Sequence, residues 1–408
     1  METKLNRWLV LIASTAVLLC TGAVYAFSVF AGPLSQLKNW TMEEIMLAFT
    51  INAAVGPITM ILGGFLTDRG LAKWTITFGG LLFALGFFLT GFVESPGMLY
   101  LTYGVLSGLG QGFAYSACLS NTIRLFPDKR GLASGLITAG MGGAAIIAAP
   151  IANAIIELRD VLTAFRFIGI AYMIVVVMAS FFIKKAPADY RPAGWVPQTS
   201  AVKGTAANYS WQEMMKTPAF YLIILMLGVG AFSGLMIASN AAVIGQEMFG
   251  LTATTAAFYV SLYSFSNCLG RVIWGTVSDK IGRSNTLMII YGVVALSLLV
   301  LTLSSAAMIF AVGIIGLGLC FGGVMGVFPS IVMENYGPAN QGVNYGIVFV
   351  GYSTAAFFGP RVAAGMAASN NGDFTNAFYT AIALAVVGFI LNIAYVQLKK
   401  SHNVSIAK

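Results

Sequence analysis

Twelve apolar stretches follow one another along the chain, at 7–32, 43–66, 74–93, 98–121, 131–157, 163–183, 218–246, 252–276, 284–303, 306–330, 339–367 and 374–396. Each is long enough to cross the ~30 Å hydrocarbon core of a bilayer as a helix, and lipid admits only helices or closed barrels. The expectation is an all-α membrane protein with twelve transmembrane helices. Composition agrees: 58% of the residues are hydrophobic and 9% charged, against roughly 25% charged in a soluble domain. The first stretch lacks the short apolar region and small-residue cleavage site of a secretory signal, so it is expected to be retained.

Charge placement gives an orientation. With residues at span edges counted in the adjoining gap, 17 of the 22 Lys and Arg residues lie in the even-numbered gaps and the two termini, while the odd-numbered gaps hold Lys38, Arg159 and Arg166. This positive-inside bias puts both termini and the loop 184–217 in the cytoplasm of a multi-pass inner (plasma) membrane protein. The net charge of +8 is thereby explained by topology and anionic lipid rather than by nucleic acid. Cys20, Cys118, Cys268 and Cys320 all fall within stretches and form no paired metal motif, and the lone His402 sits in the polar tail. No metal and no cofactor is expected. A nucleophile, an acid–base pair and a phosphate-binding loop are likewise missing from the spans, which argues against an enzyme and against ATP-driven transport.

The two halves repeat at an offset of 211 residues. Gly64 and Asp68 in the Gly64-Phe-Leu-Thr-Asp68-Arg69-Gly70 turn match Gly275 and Asp279 in Gly275-Thr-Val-Ser-Asp279-Lys280-Ile-Gly282-Arg283. Pro127 and Gly131, in Phe126-Pro-Asp128-Lys-Arg130-Gly131, match Pro338 and Gly342. Four matches at one offset indicate two pseudo-symmetric six-helix bundles, 1–183 and 218–408, joined by a Pro- and Lys-bearing cytoplasmic linker, 184–217. Gly104, Gly108 and Gly112 share one face of the fourth span, and Gly131 and Gly135 one face of the fifth, as close helix contacts require.

The paired loop motif resembles the signature of the major facilitator superfamily, and the resemblance implies that fold over the whole chain. It also implies a cytoplasmic gate: Asp68 and Asp279 would meet basic groups and a neighbouring helix N-terminus, with Arg69, Gly275, Lys280, Gly282, Arg283, Asp128 and Arg130 completing the motif. Substrate sites in such proteins lie near the midplane, where the bundles meet.

Charge inside the membrane is costly and so points to function. Arg271 lies eight residues before Asp279, about 12 Å along the eighth span, deep enough to meet a central substrate. A guanidinium stays charged and can hold a carboxylate by two parallel hydrogen bonds. Asn267, one turn away, can orient it or donate to a substrate oxygen. Arg361 in the eleventh span is read either as a snorkelling cation or as a secondary anion contact. Tyr25, Tyr115, Phe321, Phe349 and Tyr352 are candidates for the cavity wall.

Within the superfamily the chain resembles the oxalate–formate antiporter and monocarboxylate transporter branch, through Arg124-Leu-Phe-Pro-Asp-Lys-Arg130-Gly-Leu-Ala-Ser-Gly135 and Asn344-Tyr345-Gly346. The oxalate carrier holds its anion with a span-eight arginine and a span-eleven lysine inside an aromatic cage. Arg271 corresponds to the first, but Tyr352 stands at the lysine position, and two cage positions carry Phe321 and Met325 beside Tyr25 and Tyr115. One fixed cation matches one carboxylate, so the resemblance implies a secondary transporter of a small monocarboxylate such as lactate or pyruvate. Eukaryotic relatives have an aspartate where this chain has Asn267, and a first-span lysine that has no counterpart in the corresponding region here. Coupling therefore stays open between a proton, with Glu247 as the candidate acceptor, and a counter-anion in oxalate:formate-type exchange. The expected partners are the carboxylate substrate, the proton or counter-anion and the lipid bilayer, with the chain acting as a monomer.

Overall fold

The structure, a computed structural model, describes residues 5–187, 190–192, 208–303 and 305–406, the side chains of residues 253 and 401–406 excepted. Most of the expected linker and the His402 side chain thus lie outside the described residues.

Every regular element among the described residues is helical. The first span comprises α1, Arg7–Thr21, and α2, Phe27–Lys38, joined by a 3₁₀ turn at Gly22–Ala26. Then come α3, Met42–Leu66, and α4, Ala72–Thr90. The short α5, Pro96–Leu99, passes through a π-helical stretch, Tyr100–Ser107, into α6, Gly108–Arg124. The fifth span is α7, Arg130–Gly142, with α8, Ala144–Leu158, and the sixth is α9, Val161–Phe182. After the small α10, Trp211–Met215, the second half runs through α11, Pro218–Phe249, α12, Ala253–Ile281, α13, Arg283–Leu303, and α14, Ala307–Tyr336. It ends with α15, Gln341–Val348, α16, Val350–Ala368, and α17, Thr375–Ile406.

Local chemistry sets the helix ends. Thr41 caps α3 in a reciprocal box with Glu44, Asp160 accepts the Thr163 N–H at the start of α9, and Thr217 precedes Pro218 at the start of α11; each satisfies amide groups that the first turn leaves unpaired. Between α3 and α4 the chain reverses at Gly70, whose φ of 93° suits a residue without a Cβ.

Nine helical stretches among the described residues are long and apolar enough to cross a membrane, and one of them, Met42–Thr90, contains the bend at Gly70 and so covers two of the expected spans. The remaining two expected spans, the fourth and the eighth, are helical over a spanning length but more polar. They carry Gln111, Asn121, Asn267 and Arg271, the residues that lower their apolar character.

Two compact units form. Unit 1 comprises Met1–Asp128, Gly140–Gly194 and Pro338–Ile347; unit 2 comprises Lys129–Ala139, Trp195–Gly337 and Val348–Lys408. Unit 1 has an aromatic core in which Phe27 stacks on Tyr103 at 4.2 Å and Phe30 on Phe165 at 4.4 Å. Its α6 lies so close to α3 that a methyl group at Gly112 would fall 2.0 Å from Thr59 Oγ1 and one at Gly108 2.9 Å from the Asn52 carbonyl. In unit 2 the same device joins α12 and α14: a methyl at Gly322 would lie 2.0 Å from the Asn267 carbonyl, and one at Gly270 2.0 Å from that of Leu319. Where lipid removes the hydrophobic drive between helices, such backbone approach supplies the packing.

Candidate functional site

Each unit carries one of the repeated acidic turns, and each carboxylate caps a helix N-terminus. In unit 1, Asp68 accepts from Gly342 N at 3.1 Å and Val343 N at 3.0 Å, the first turn of α15. In unit 2, Asp279 accepts from Gly131 N and Leu132 N, both at 2.9 Å, in the first turn of α7. The four donors keep the 211-residue offset. Unpaired N–H groups and the positive helix end both favour a carboxylate here.

The cations differ from those expected at the first turn and match only in part at the second. Asp68 pairs with Arg124 at the end of α6, and Arg124 also donates to the Ala339 carbonyl at 3.1 Å. Arg69 points elsewhere, exposed, with its guanidinium 4.0 Å over the Phe65 ring. Burial pushes the Asp68 carboxyl up, opposed by the Arg124 charge and the two N–H groups. Asp279 pairs with Arg283 at 2.7 Å, and Arg283 also holds Glu334 at 2.9 Å and donates to Ser278. Lys280 is exposed and joins none of the ion pairs among the described residues, and Gly282, at φ 87°, ends α12. Arg130 is half-buried within electrostatic reach of Glu334 and Asp279. Asp128 instead grips Arg7 through both carboxylate oxygens. Arg124 and Glu334 were therefore missed as members of these networks. Arg124 ends a helix 56 residues from its partner, and no local pattern joins the two.

Deeper in unit 2, α12 presents Asn267 and Arg271, which are 5% and 3% exposed. Arg271 Nε donates to Asn267 Oδ1 at 3.1 Å, and Nη1 to the Thr138 carbonyl of α7 at 2.7 Å. Among the described residues no ion pair includes Arg271, and its Nη2 makes no hydrogen bond. The amide Nδ2 of Asn267 is buried and has no acceptor among the described residues. The charge is thus withdrawn from water beside an unused amide donor. Neither edge of the guanidinium is wholly free, so the expected pair of parallel bonds from Arg271 is incomplete with Thr138 in place.

The wall candidates divide between the units. In unit 2, Phe349 stacks on Tyr352 at 4.5 Å, and Tyr352 lies parallel to Phe321 at 6.4 Å and 7°. Gly234 makes room for this row, since a methyl there would fall 2.3 Å from the Phe321 ring. Tyr263, buried nearby, donates to the Gly234 carbonyl at 2.6 Å. Tyr25, 44% exposed in the 3₁₀ turn, and the buried Tyr115 on α6 belong to unit 1. Glu247 is exposed near the end of α11, its carboxylate against the turn at Gly372 rather than beside Arg271. Arg361 is exposed, bonded to the Phe357 carbonyl at 2.9 Å and 4.1 Å over the Phe357 ring.

These features, helices of spanning length in two repeated sets with matched capping carboxylates, define a polytopic helical membrane protein. The chain belongs to the Major Facilitator Superfamily, whose sequence pattern matches residues 13–360 and again 249–407. It is a multi-pass membrane transporter and not an enzyme. It is 28% identical over 393 residues to the oxalate:formate antiporter of Oxalobacter formigenes, covering 95% of this chain and 92% of that protein. It is 24% identical over 393 residues to monocarboxylate transporter 12 of Xenopus laevis, covering 91% and 84%. The fold is that of the transporter FucP, crystallised in the outward conformation, with a TM-score of 0.72 at 16% identity over 96% of this chain and 99% of that one.

Proposed function

We propose that the chain carries a small monocarboxylate, of the size of lactate or pyruvate, across the cytoplasmic membrane by alternating access, as a monomer with both termini in the cytoplasm. The observation that carries this reading is the buried Arg271 guanidinium, with no carboxylate partner among the described residues and the unused Asn267 amide beside it. A single fixed cation balances a single carboxylate, and Nη2 and Nδ2 are the donors open to it while Thr138 occupies Nη1. Phe321, Phe349 and Tyr352 supply an apolar wall suited to a short carbon chain rather than to a second carboxylate. Similarity to an oxalate:formate antiporter and to a monocarboxylate transporter agrees with a small organic anion as cargo.

Coupling to a proton is the favoured form, with the proton bound by Glu247 or carried on the substrate carboxyl. Anion exchange is the second reading, favoured by Asn267: the amide beside Arg271 cannot titrate, and Glu247 is placed elsewhere. Uptake of radiolabelled lactate into proteoliposomes, with and without an inward proton gradient and with formate trapped inside, separates the two. Arg271→Ala should lower carboxylate affinity on the order of a hundredfold, the cost of leaving a desolvated charge unpaired. Near-normal uptake by that variant sinks the site.

A further inference from the structure

Resting on that reading of Arg271, we propose that the cargo arginine is also the inner fastening of α7. A bound carboxylate and α7 then compete for the same N–H group, with Thr138 and Gly135 as the positioning residues that set the competition.

The contact between α7 and α12 is continuous. Asp279, Gly275, Arg271 and Cys268 form one stripe on α12 at helical spacing, and each meets α7. Asp279 caps Gly131 and Leu132. A methyl at Gly131 would fall 2.1 Å from the Gly275 carbonyl, and one at Gly135 2.2 Å from the Arg271 carbonyl. Arg271 Nη1 donates to the Thr138 carbonyl at 2.7 Å, and Cys268 Sγ to that of Ala139 at 3.6 Å. The acidic turn and the cargo arginine are therefore two fastenings of one zipper, about 12 Å apart along α12.

A ligand shifts a conformational equilibrium only by its differential affinity for the two states. While α7 is fastened, Nη1 is committed to Thr138 and a carboxylate can take Nη2 alone from Arg271. Once α7 withdraws, Nη1 and Nη2 together present the two parallel donors that suit a carboxylate. Cargo thus binds the unfastened state more tightly and drives α7 away from α12.

Unit 1 contains the control. Its zipper repeats the outer fastenings, Asp68 on Gly342 and Val343, Gly64 against Gly342, and Gly346 against Ile61. At the position 211 residues before Arg271, however, stands Met60. The twin contact has no inner cation for an anion to claim, so only the α7 zipper responds to cargo.

Hydrogen exchange of the full chain in lipid nanodiscs, followed by mass spectrometry, tests this. Saturating lactate should speed exchange of residues 131–139 about tenfold, within the range usual for coupled sites, and leave 342–347 unchanged. Arg271→Ala should show that acceleration without lactate and no more with it; Arg271→Lys, whose ammonium can still reach a carbonyl, should lie between. Unchanged exchange of 131–139 in Arg271→Ala overturns the fastening, as does equal loosening of both segments in the two variants. Lactate calorimetry on the same samples separates the two claims. Binding lost with exchange unchanged removes the latch and spares the cargo site, whereas binding retained in Arg271→Ala removes the cargo site and the competition with it.

Discussion

The guanidinium of Arg271 is held by two neutral acceptors, an amide oxygen and a main-chain carbonyl, so its charge is oriented without being neutralised. Asn267 is decisive for that state. Asn267→Asp would put a carboxylate at the same 3.1 Å from Nε and create an internal ion pair that a substrate anion must displace. We expect neutral-pH uptake to fall about tenfold, the scale of a hydrogen bond to a charged group, and to recover on acidification. The sign follows from the pair: the guanidinium favours the ionised aspartate, so the substrate gains access only as falling pH protonates it. Uptake of Asn267→Asp that stays level from pH 8 to pH 5 contradicts this. At Tyr352 the prediction concerns selectivity. Tyr352→Lys gives up the stack on Phe349, about 0.5–1.5 kcal/mol, and adds a second cation, so competition assays should show oxalate gaining on lactate. An unaltered ratio would mean that Tyr352 does not border the cargo.

Helix ends and helix contacts carry the next set of effects. Asp160 caps α9 through the Thr163 hydroxyl and N–H, and these bonds, the hydroxyl first, hold its carboxyl below the usual range. A depressed carboxyl stabilises the folded chain at neutral pH, and that contribution disappears only as pH falls through the lowered value. Asp160→Ala should therefore cost about 1 kcal/mol, the usual value of an N-cap, in thermal unfolding at pH 7. The gap to the parent should close in strong acid; a gap that persists there would assign the loss to something other than the charge. The glycine contacts are less forgiving. A methyl at Gly64 would fall 2.2 Å from the Gly342 carbonyl carbon, so Gly64→Ala must part α3 from α15, an overpacking of roughly 1–3 kcal/mol. The expected result is slower uptake with lactate affinity nearly unchanged, because the contact is made within unit 1 and Arg271 belongs to unit 2.

At the scale of the whole molecule the two acidic turns are equivalent by repeat and inequivalent by wiring. Asp68→Asn should lower the maximal rate while leaving equilibrium lactate binding near the parental value. Asp279→Asn loosens the zipper that includes Arg271 and should bind lactate more tightly; equal affinities in the two variants would contradict that asymmetry. The twelve spans, the 211-residue repeat, the two acidic turns and an arginine within a span, one turn from an asparagine, were all determined by the sequence. The cost of placing a segment or a charge in lipid belongs to that segment alone, and a repeat is visible in one dimension. Only the tertiary structure decided that Arg124 rather than Arg69 answers Asp68, that Glu334 shares Arg283, that Asp128 turns to Arg7, and that the Thr138 carbonyl occupies one N–H of Arg271. Those partners depend on which helices are brought side by side, and a main-chain carbonyl, being common to every residue, leaves no mark in the sequence from which its role could be read.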